Sequence, residues 1–236
     1  MKTAAVIVSA GKGHRLPGER KKQFLSLAGK PILCHTLDPF EACPSIDFIH
    51  LVVGQEDMTY TLQEIVEAYG YRKVSQIVPG GKLRQESVKN GIDSLSSEVD
   101  IVAIHDGVRP FVTQRMIEES IRGARQFKAV VLAMPVKETI KMAGPDRIVL
   151  KTLDRESLWQ IQTPQTFHLD LIRQALHKAT EDGFIGTDDA SLVERIGGKV
   201  HILPGSYTNI KITTPEDLIL GHLILKMEAS LEKGSH

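Results

Sequence analysis

Five cations, Lys12, Arg15, Arg20, Lys21 and Lys22, stand against Glu19 alone between residues 12 and 22, a local net of +4 in a chain of zero formal net charge. They follow a short apolar run, Ala4-Ala5-Val6-Ile7-Val8, and a small-residue corner, Ser9-Ala10-Gly11 with Gly13 just beyond. A buried strand that feeds a glycine corner rimmed by cations suits a polyphosphate. Glycine lets the backbone approach, N–H groups point at the oxygens, and Lys and Arg neutralise charge. The dinucleotide fingerprint Gly-x-Gly-x-x-Gly fails, because Leu16 occupies the third glycine position; the ATPase P-loop fails, because Glu19-Arg20 stands where Lys-Ser/Thr is required. The plain alternative is a solvated basic loop. Strand, glycines and clustered cations together favour phosphate binding.

Three further groupings suit the same chemistry. Asp106, in Ile104-His105-Asp106-Gly107-Val108-Arg109-Pro110, lies at the expected end of a parallel strand, where ligands bind in open α/β sheets. There it can help hold a divalent cation or a hydroxyl, or simply cap a turn with Arg109 as its ion-pair partner. Pro79-Gly80-Gly81-Lys82-Leu83-Arg84-Gln85-Glu86-Ser87 reads as a strand-to-helix turn, or as a glycine platform for a planar base with the Ser87 hydroxyl beside it. Arg155 and Lys211, with Thr187 in Gly186-Thr187-Asp188-Asp189, offer a second anion site; the two aspartates equally suit the first turn of a helix. Thr163-Pro164-Gln165 reads as a rigid turn, and the single Trp159 as core. No zinc-type Cys/His spacing, no His-Glu-x-x-His and no Gly-x-Ser-x-Gly elbow occurs, which leaves phosphate chemistry driven by electrostatics rather than by a side-chain nucleophile.

These groups need a scaffold, and the hydropathy pattern supplies one. Strand-like runs at 4–9, 47–54, 74–78, 101–105, 129–135 and 199–203 alternate with helix-period segments at 31–42, 58–69, 84–95, 113–126, 169–180, 188–196 and from Pro215, which follows Thr214 as N-cap. That rhythm predicts an α/β fold with a mostly parallel sheet and helices on both faces. It breaks between 136 and 161, where two alternating segments around Gly144-Pro145-Asp146 predict a hairpin. With 236 residues, 42% hydrophobic and 25% charged, a single domain over 1–236 with a β-arm insertion at about 136–156 is the economical reading. Zero net charge argues against a general nucleic-acid or membrane-surface binder, and no apolar run reaches the roughly 20 residues of a membrane helix. Two cysteines without metal or redox spacing, and no signal peptide ahead of the first apolar run, lead us to expect a cytoplasmic protein.

Ser9-Ala-Gly-Lys-Gly-His-Arg15 with Lys22-Gln23-Phe24, Gly80-Gly81…Arg84…Ser87-Val88, His105-Asp106-Gly-Val-Arg109-Pro110, Leu158-Trp-Gln-Ile-Gln-Thr-Pro-Gln165, Thr187-Asp-Asp-Ala-Ser191 and Asn209-Ile-Lys-Ile-Thr-Thr-Pro215 together resemble the 2-C-methyl-D-erythritol 4-phosphate cytidylyltransferase family, in the family's order. The resemblance implies a Rossmann-like nucleotidyltransferase fold with a protruding β-arm, a homodimer, CTP and a polyol phosphate as substrates, and Mg²⁺ held mainly by the CTP phosphates. It implies a place in non-mevalonate isoprenoid biosynthesis. By the same resemblance Arg15 and Lys22 stabilise the transition state, and Arg155 and Lys211 align the attacking phosphate. Ala10, Gly11, Lys12, Gly13, Gly81, Ser87 and Asp106 hold the nucleotide. Asp106, Arg109, Thr139, Arg155, Thr187 and Lys211 meet the sugar phosphate, Arg109 and Thr139 from across the dimer. Three departures stand out: Ser9 for the usual Ala, Lys21 for the usual Pro, and Gly107-Val108 for the usual pair of alanines. Rival readings are the sister ribitol or ribulose 5-phosphate cytidylyltransferase and a nucleotide-binding module without turnover.

Overall fold

Alternation along the first strand decides the architecture. In the computed structural model, which describes residues 1–11 and 21–233, β1 (Lys2–Ser9) buries Ala4, Ala5, Val6 and Ile7 completely. Successive side chains point to opposite faces of a sheet. Ala4 and Val6 therefore join one core and Ala5 and Ile7 the other. A strand apolar on both faces needs helices on both.

The chain supplies them in turn. After β1 come a two-residue hairpin, β2 (Ser26–Leu27) and β3 (Lys30–Pro31), then α1 (Ile32–Ala42) and β4 (Phe48–Val53). Next are α2 (Met58–Tyr60), β5 (Val74–Pro79), α3 (Arg84–Asp93) and β6 (Val99–Asp106). They are followed by α4 (Gln114–Phe127), β7 (Ala129–Pro135), the ribbon β8 (Lys141–Ala143) and β9 (Val149–Thr152), and β10 (Trp159–His168). The chain closes with α5 (Leu169–Glu181), α6 (Asp189–Arg195), β11 (His201–Pro204) and α7 (Pro215–Lys233). The seven-stranded sheet runs β11-β7-β10-β6-β1-β4-β5. All pairings are parallel except the two that β10 makes, with β6 and β7. Leu33, Leu37 and Phe40 of α1 and Met116, Ile117 and Ile121 of α4 cover one face. Val88 and Ile92 of α3, Ile172 and Leu176 of α5 and Val193 of α6 cover the other. Each such buried side chain contributes about 1.5–3 kcal/mol relative to exposure.

Most elements lie where periodicity places them, and the differences are local. The helix expected at 58–69 is present over that span but changes type, from α over Met58–Tyr60 to a wider π-helix over Thr61–Glu67 and back to α at Ala68 and Tyr69. The hairpin is shorter than its hydropathy pattern: β8 and β9 together hold seven residues, all exposed, in a two-stranded sheet separate from the main one. The turn expected at Thr163-Pro164-Gln165 instead lies inside β10, an antiparallel strand that periodicity did not reveal. The Thr163–Pro164 peptide is cis, and the β10–β7 ladder is interrupted between Ile161 and Gln165. A proline has no N–H for a ladder and is tolerated where a bulge asks for none. Trp159, read as core, starts β10 and is 40% exposed.

The site's geometry depends on how closely α3 approaches the sheet. A β-carbon on Gly91 would lie 2.5 Å from Cγ1 of Val6 and 2.9 Å from Cγ2 of Val52. We therefore expect Gly91→Ala to lower unfolding free energy by about 1–3 kcal/mol through overpacking, despite the roughly 1 kcal/mol that alanine gains in helix propensity. A urea titration reads the sign directly; an unchanged or raised midpoint would show that the contact is slack.

Candidate active site

Parallel strands open a crevice where neighbouring connections leave in opposite directions. From β1 the chain moves to β4 and β5 on one side, then returns to β6 on the other. The C-terminal ends of β1 and β6 flank that reversal, and a cavity of about 870 Å³ opens over them and over the ends of β4 and β5. Ala10 and Gly11 from the corner after β1, Lys22, Gly80 and Gly81, Asp106 and Lys211 all contribute to its wall. Gly80 permits the two glycine turns to meet, because a β-carbon there would sit 2.2 Å from Cβ of Ala10.

The second turn is held by its own side chains. The Gly81 N–H donates to Ser87 Oγ at 3.0 Å, and that hydroxyl donates onward to the Leu83 carbonyl at 3.1 Å. Glu86 Oε2 accepts from Lys82 N and Leu83 N at 2.7 and 3.2 Å, which closes the start of α3. Ser87 is thus in the cavity wall with its proton committed to the loop.

Asp106 is the electrostatic centre. Its carboxylate, 5% exposed as a residue, accepts from Arg84 Nε at 3.1 Å and Arg109 Nε at 3.4 Å, and lies 2.9 Å from Lys211 Nζ. Burial pushes its pKa up, but Arg84, Lys211 and Arg109 outweigh burial and hold it well below the usual carboxylate range. Arg84 also grips Asp189 with both terminal nitrogens, at 2.9 and 2.8 Å. Burial disfavours the guanidinium, and the two carboxylates overcome that, keeping it charged above its ordinary range. Arg109 donates its remaining reach to the Asn209 carbonyl at 2.9 Å.

Beneath this cluster His105, fully buried, sits 3.1 Å from the Arg109 carbonyl through Nε2 and 3.0 Å from Thr163 Oγ1 through Nδ1. A carbonyl only accepts, so Nε2 carries the proton and Nδ1 accepts from the Thr163 hydroxyl. Thr163 Oγ1 in turn accepts the Asp106 N–H at 3.1 Å. The chain of bonds sets the backbone of Asp106 through a neutral imidazole. Burial is the main cause that lowers the His105 pKa to about 4.

The expected site residues separate into groups. Ala10, Gly11, Lys22, Gly81, Ser87, Asp106 and Lys211 surround the cavity. Arg109 lies beside it, its side chain held within its own chain by Asp106 and Asn209. Thr139 and Thr187 are exposed and outside the lining, and Arg155 is exposed at the foot of the ribbon, donating to the Lys137 carbonyl at 3.2 Å. Of the pair Arg155 and Lys211, Lys211 alone lines the cavity among the described residues. Lys12, Gly13 and Arg15 lie outside the described residues.

Several residues acquire roles that spacing did not show. Asp188 is the N-cap of α6, accepting from Ser191 N at 3.0 Å, as a helix-start reading implies, whereas its neighbour Asp189 is buried and clamps Arg84. Gln165 ties the same helix start to β10, donating to Asp188 Oδ2 and accepting from Ala190 N. Ser9 and Gly107 are coupled: a β-carbon at Gly107 would lie 2.7 Å from Ser9 Oγ, so the glycine makes room for the serine hydroxyl.

Among the described residues no group of three His, Cys, Asp or Glu is placed to hold a metal. Among the described residues Asp106 is the one buried carboxylate of the cavity wall, and three cations already engage it. That donor set fits a cation carried in on substrate phosphates rather than a resident ion.

A mostly parallel sheet with two glycine turns and a cation-lined cavity over its C-terminal edge defines an α/β protein of the nucleotidyltransferase type. The family model of 2-C-methyl-D-erythritol 4-phosphate cytidylyltransferase matches residues 3–227. A relative of that name from Caldanaerobacter subterraneus is 46% identical over 226 residues, 96% of this chain and 100% of its own. Another from Geotalea uraniireducens is 46% identical over 228 residues, covering 96% and 97% of the two chains. Among solved structures, 4-diphosphocytidyl-2C-methyl-D-erythritol synthase from Anaerococcus prevotii superimposes with a TM-score of 0.84 at 33% identity, covering 95% of this chain and 98% of its own. The chain belongs to the 2-C-methyl-D-erythritol 4-phosphate cytidylyltransferase family.

The buried His105 makes a pH prediction with a definite sign. Its folded pKa is about 4 against an ordinary 6.5, so as pH falls the unfolded chain takes the proton first. Stability is therefore lost between those two values, with a slope of up to about 1.4 kcal/mol per pH unit. Urea unfolding across this range should show the slope shrink by one proton's worth in His105→Gln; an identical slope in the variant would rule out the buried neutral imidazole.

Proposed function

We propose that the protein transfers the cytidylyl group of CTP to 2-C-methyl-D-erythritol 4-phosphate, releasing pyrophosphate, as its family membership implies. The observation that carries the reading is the convergence of both glycine turns, Lys22, Asp106 and Lys211 on one cavity at the switch point of the sheet. The substrate phosphate attacks the α-phosphorus in line. Such a displacement asks the protein for positioning and charge stabilisation rather than for a nucleophile. Backbone around Ala10–Gly11 and Gly81 cradles the triphosphate and cytosine, with Lys12 and Gly13 assigned to the same task by sequence. Lys22, and Arg15 by sequence, take up the charge that grows on the leaving pyrophosphate.

Asp106 and Lys211 face the polyol phosphate. Of the second anion site Lys211 lines the cavity, and Arg155 and Thr187 are assigned to the same site by the resemblance. Mg²⁺ carried in on the triphosphate would supply charge neutralisation, held mainly by the substrate because Asp106 is already engaged by three cations.

We also propose a homodimer built on the ribbon. Met142, Ile148, Val149 and Leu150 are all about half or more exposed, with Trp159 nearby in sequence at the start of β10. An apolar patch of this kind marks an interaction surface. In this reading Thr139 serves the partner's cavity. For Arg109 to do so it would have to leave both Asp106 and the Asn209 carbonyl. No helix of the described residues is long and apolar enough to cross a membrane. Cys34 and Cys43 are free and buried. That fits the cytoplasmic location we assign.

Pyrophosphate release with CTP, Mg²⁺ and each of the methylerythritol, ribitol and ribulose phosphates tests the reading. We expect release with methylerythritol phosphate above the others, abolished by chelation. Faster release with ribitol phosphate would overturn the specificity, and CTP binding without any release would leave a non-catalytic module. Lys22→Ala should lower kcat by about 10²-fold while moving CTP affinity much less; equal losses would make Lys22 a ground-state anchor. Leu150→Glu should shift the protein to a monomer in analytical ultracentrifugation, and a dimer that survives it at micromolar concentration would place the interface elsewhere.

A further inference from the structure

Lys21 immediately precedes Lys22, and its side chain lies outside the cavity lining rather than serving it as a loose supporting charge. Its ammonium lies 2.6 Å from Asp57 Oδ2 and is also hydrogen-bonded to Glu56 Oε1, both in the turn that follows β4. The Asp57 side chain is only 14% exposed and that of Lys21 21%, so this pair is shielded from the screening that weakens surface ion pairs. Burial alone would lower the Lys21 pKa, but the hydrogen bonds to Asp57 and Glu56 raise it above its ordinary value, so the group stays charged through the neutral range.

On the other flank of Lys22, the buried amide of Gln23 donates to the Ser9 carbonyl at 2.8 Å, at the last residue of β1. Phe24 N–H closes the turn on the Lys21 carbonyl at 2.9 Å. Lys22 is therefore the middle of a short segment fastened at both ends, to the end of β4 by Lys21 and to the end of β1 by Gln23. Lys21 has φ −62° and ψ 145°, values that a proline ring adopts without strain.

We propose that Lys21 is a positioning residue for Lys22, its ammonium–carboxylate clamp doing by side-chain contact what a proline at the same backbone angle does by covalent restraint. The proposal rests on Lys22 acting on the triphosphate in the transition state. A long side chain on an unfastened turn samples many positions, and an error of the order of 1 Å at a reacting centre is enough to cost large factors in rate.

Steady-state kinetics of the full chain test it, with thermal unfolding as a check on folding. Lys21→Ala should lower kcat roughly 10-fold with the KM for CTP nearly unchanged, and Asp57→Asn should do the same in smaller measure. Lys21→Arg should restore turnover by keeping the clamp. Lys21→Pro should restore it by fixing φ without any charge, a rescue that a purely electrostatic role for Lys21 would not show. In the Lys22→Ala background, Lys21→Ala should add no further loss in kcat. Rescue by Arg but not by Pro, or a raised KM with kcat intact, would overturn the proposal in favour of simple charge neutralisation. A slow Lys22→Ala beside a fully active Lys21→Ala would overturn this inference alone. A fully active Lys22→Ala would instead overturn the role given to Lys22.

Discussion

One buried carboxylate organises the site. Asp106 ends the central strand β6 and binds a cation from each of three places: Arg84 at the start of α3, Arg109 in the loop that follows, and Lys211 ahead of α7. Arg84 extends the cluster to Asp189 at the start of α6. Removing one partner from such a buried set leaves an uncompensated charge, at about 3–5 kcal/mol. Three cations against two carboxylates leave one positive charge over, beside a cavity that must receive phosphates. Well-packed apolar residues would hold these elements together equally well. They would provide no field.

Around that centre the backbone is set by neutral polar side chains. Thr163 and His105 determine where the Asp106 N–H points, and Asn209 donates to the Thr163 carbonyl at 2.9 Å while its own carbonyl receives Arg109. Gln165 joins β10 to the first turn of α6. β10 is thus more than a seventh strand. Its bulge at Gln162–Pro164 carries the threonine that orders the carboxylate, which explains why an antiparallel strand with a proline sits in the middle of an otherwise parallel sheet.

The same division separates the legible from the hidden. Strands and helices on the alternating rhythm could be read from the chain, because period 2 and period 3.6 are properties of neighbouring residues. β10 escaped because Gln162, Thr163, Gln165 and Thr166 are polar yet buried, satisfied by partners far along the chain. Trp159 was misread for the complementary reason: its aromatic surface remains exposed at the foot of a ribbon whose strands are exposed throughout.

By itself, the order of residues determined an α/β fold with a mostly parallel sheet, glycine turns after β1 and β5, a charged Asp at the end of β6 and the family to which they belong. Those features are local, or are carried as motifs. The tertiary structure decided which charges meet. It placed Asp189 on Arg84 across 105 positions, turned Arg109 inward, left Arg155 exposed on the Lys137 carbonyl, and tied Lys21 to Asp57 rather than to the cavity. A side chain's charge is written in the sequence. Whether it faces solvent, a phosphate site or an opposite charge depends on distances that exist only after the sheet has brought remote strand ends together. The opening cluster of cations is thereby sharpened: among its described members, Lys22 lines the cavity and Lys21 fastens the turn that carries it.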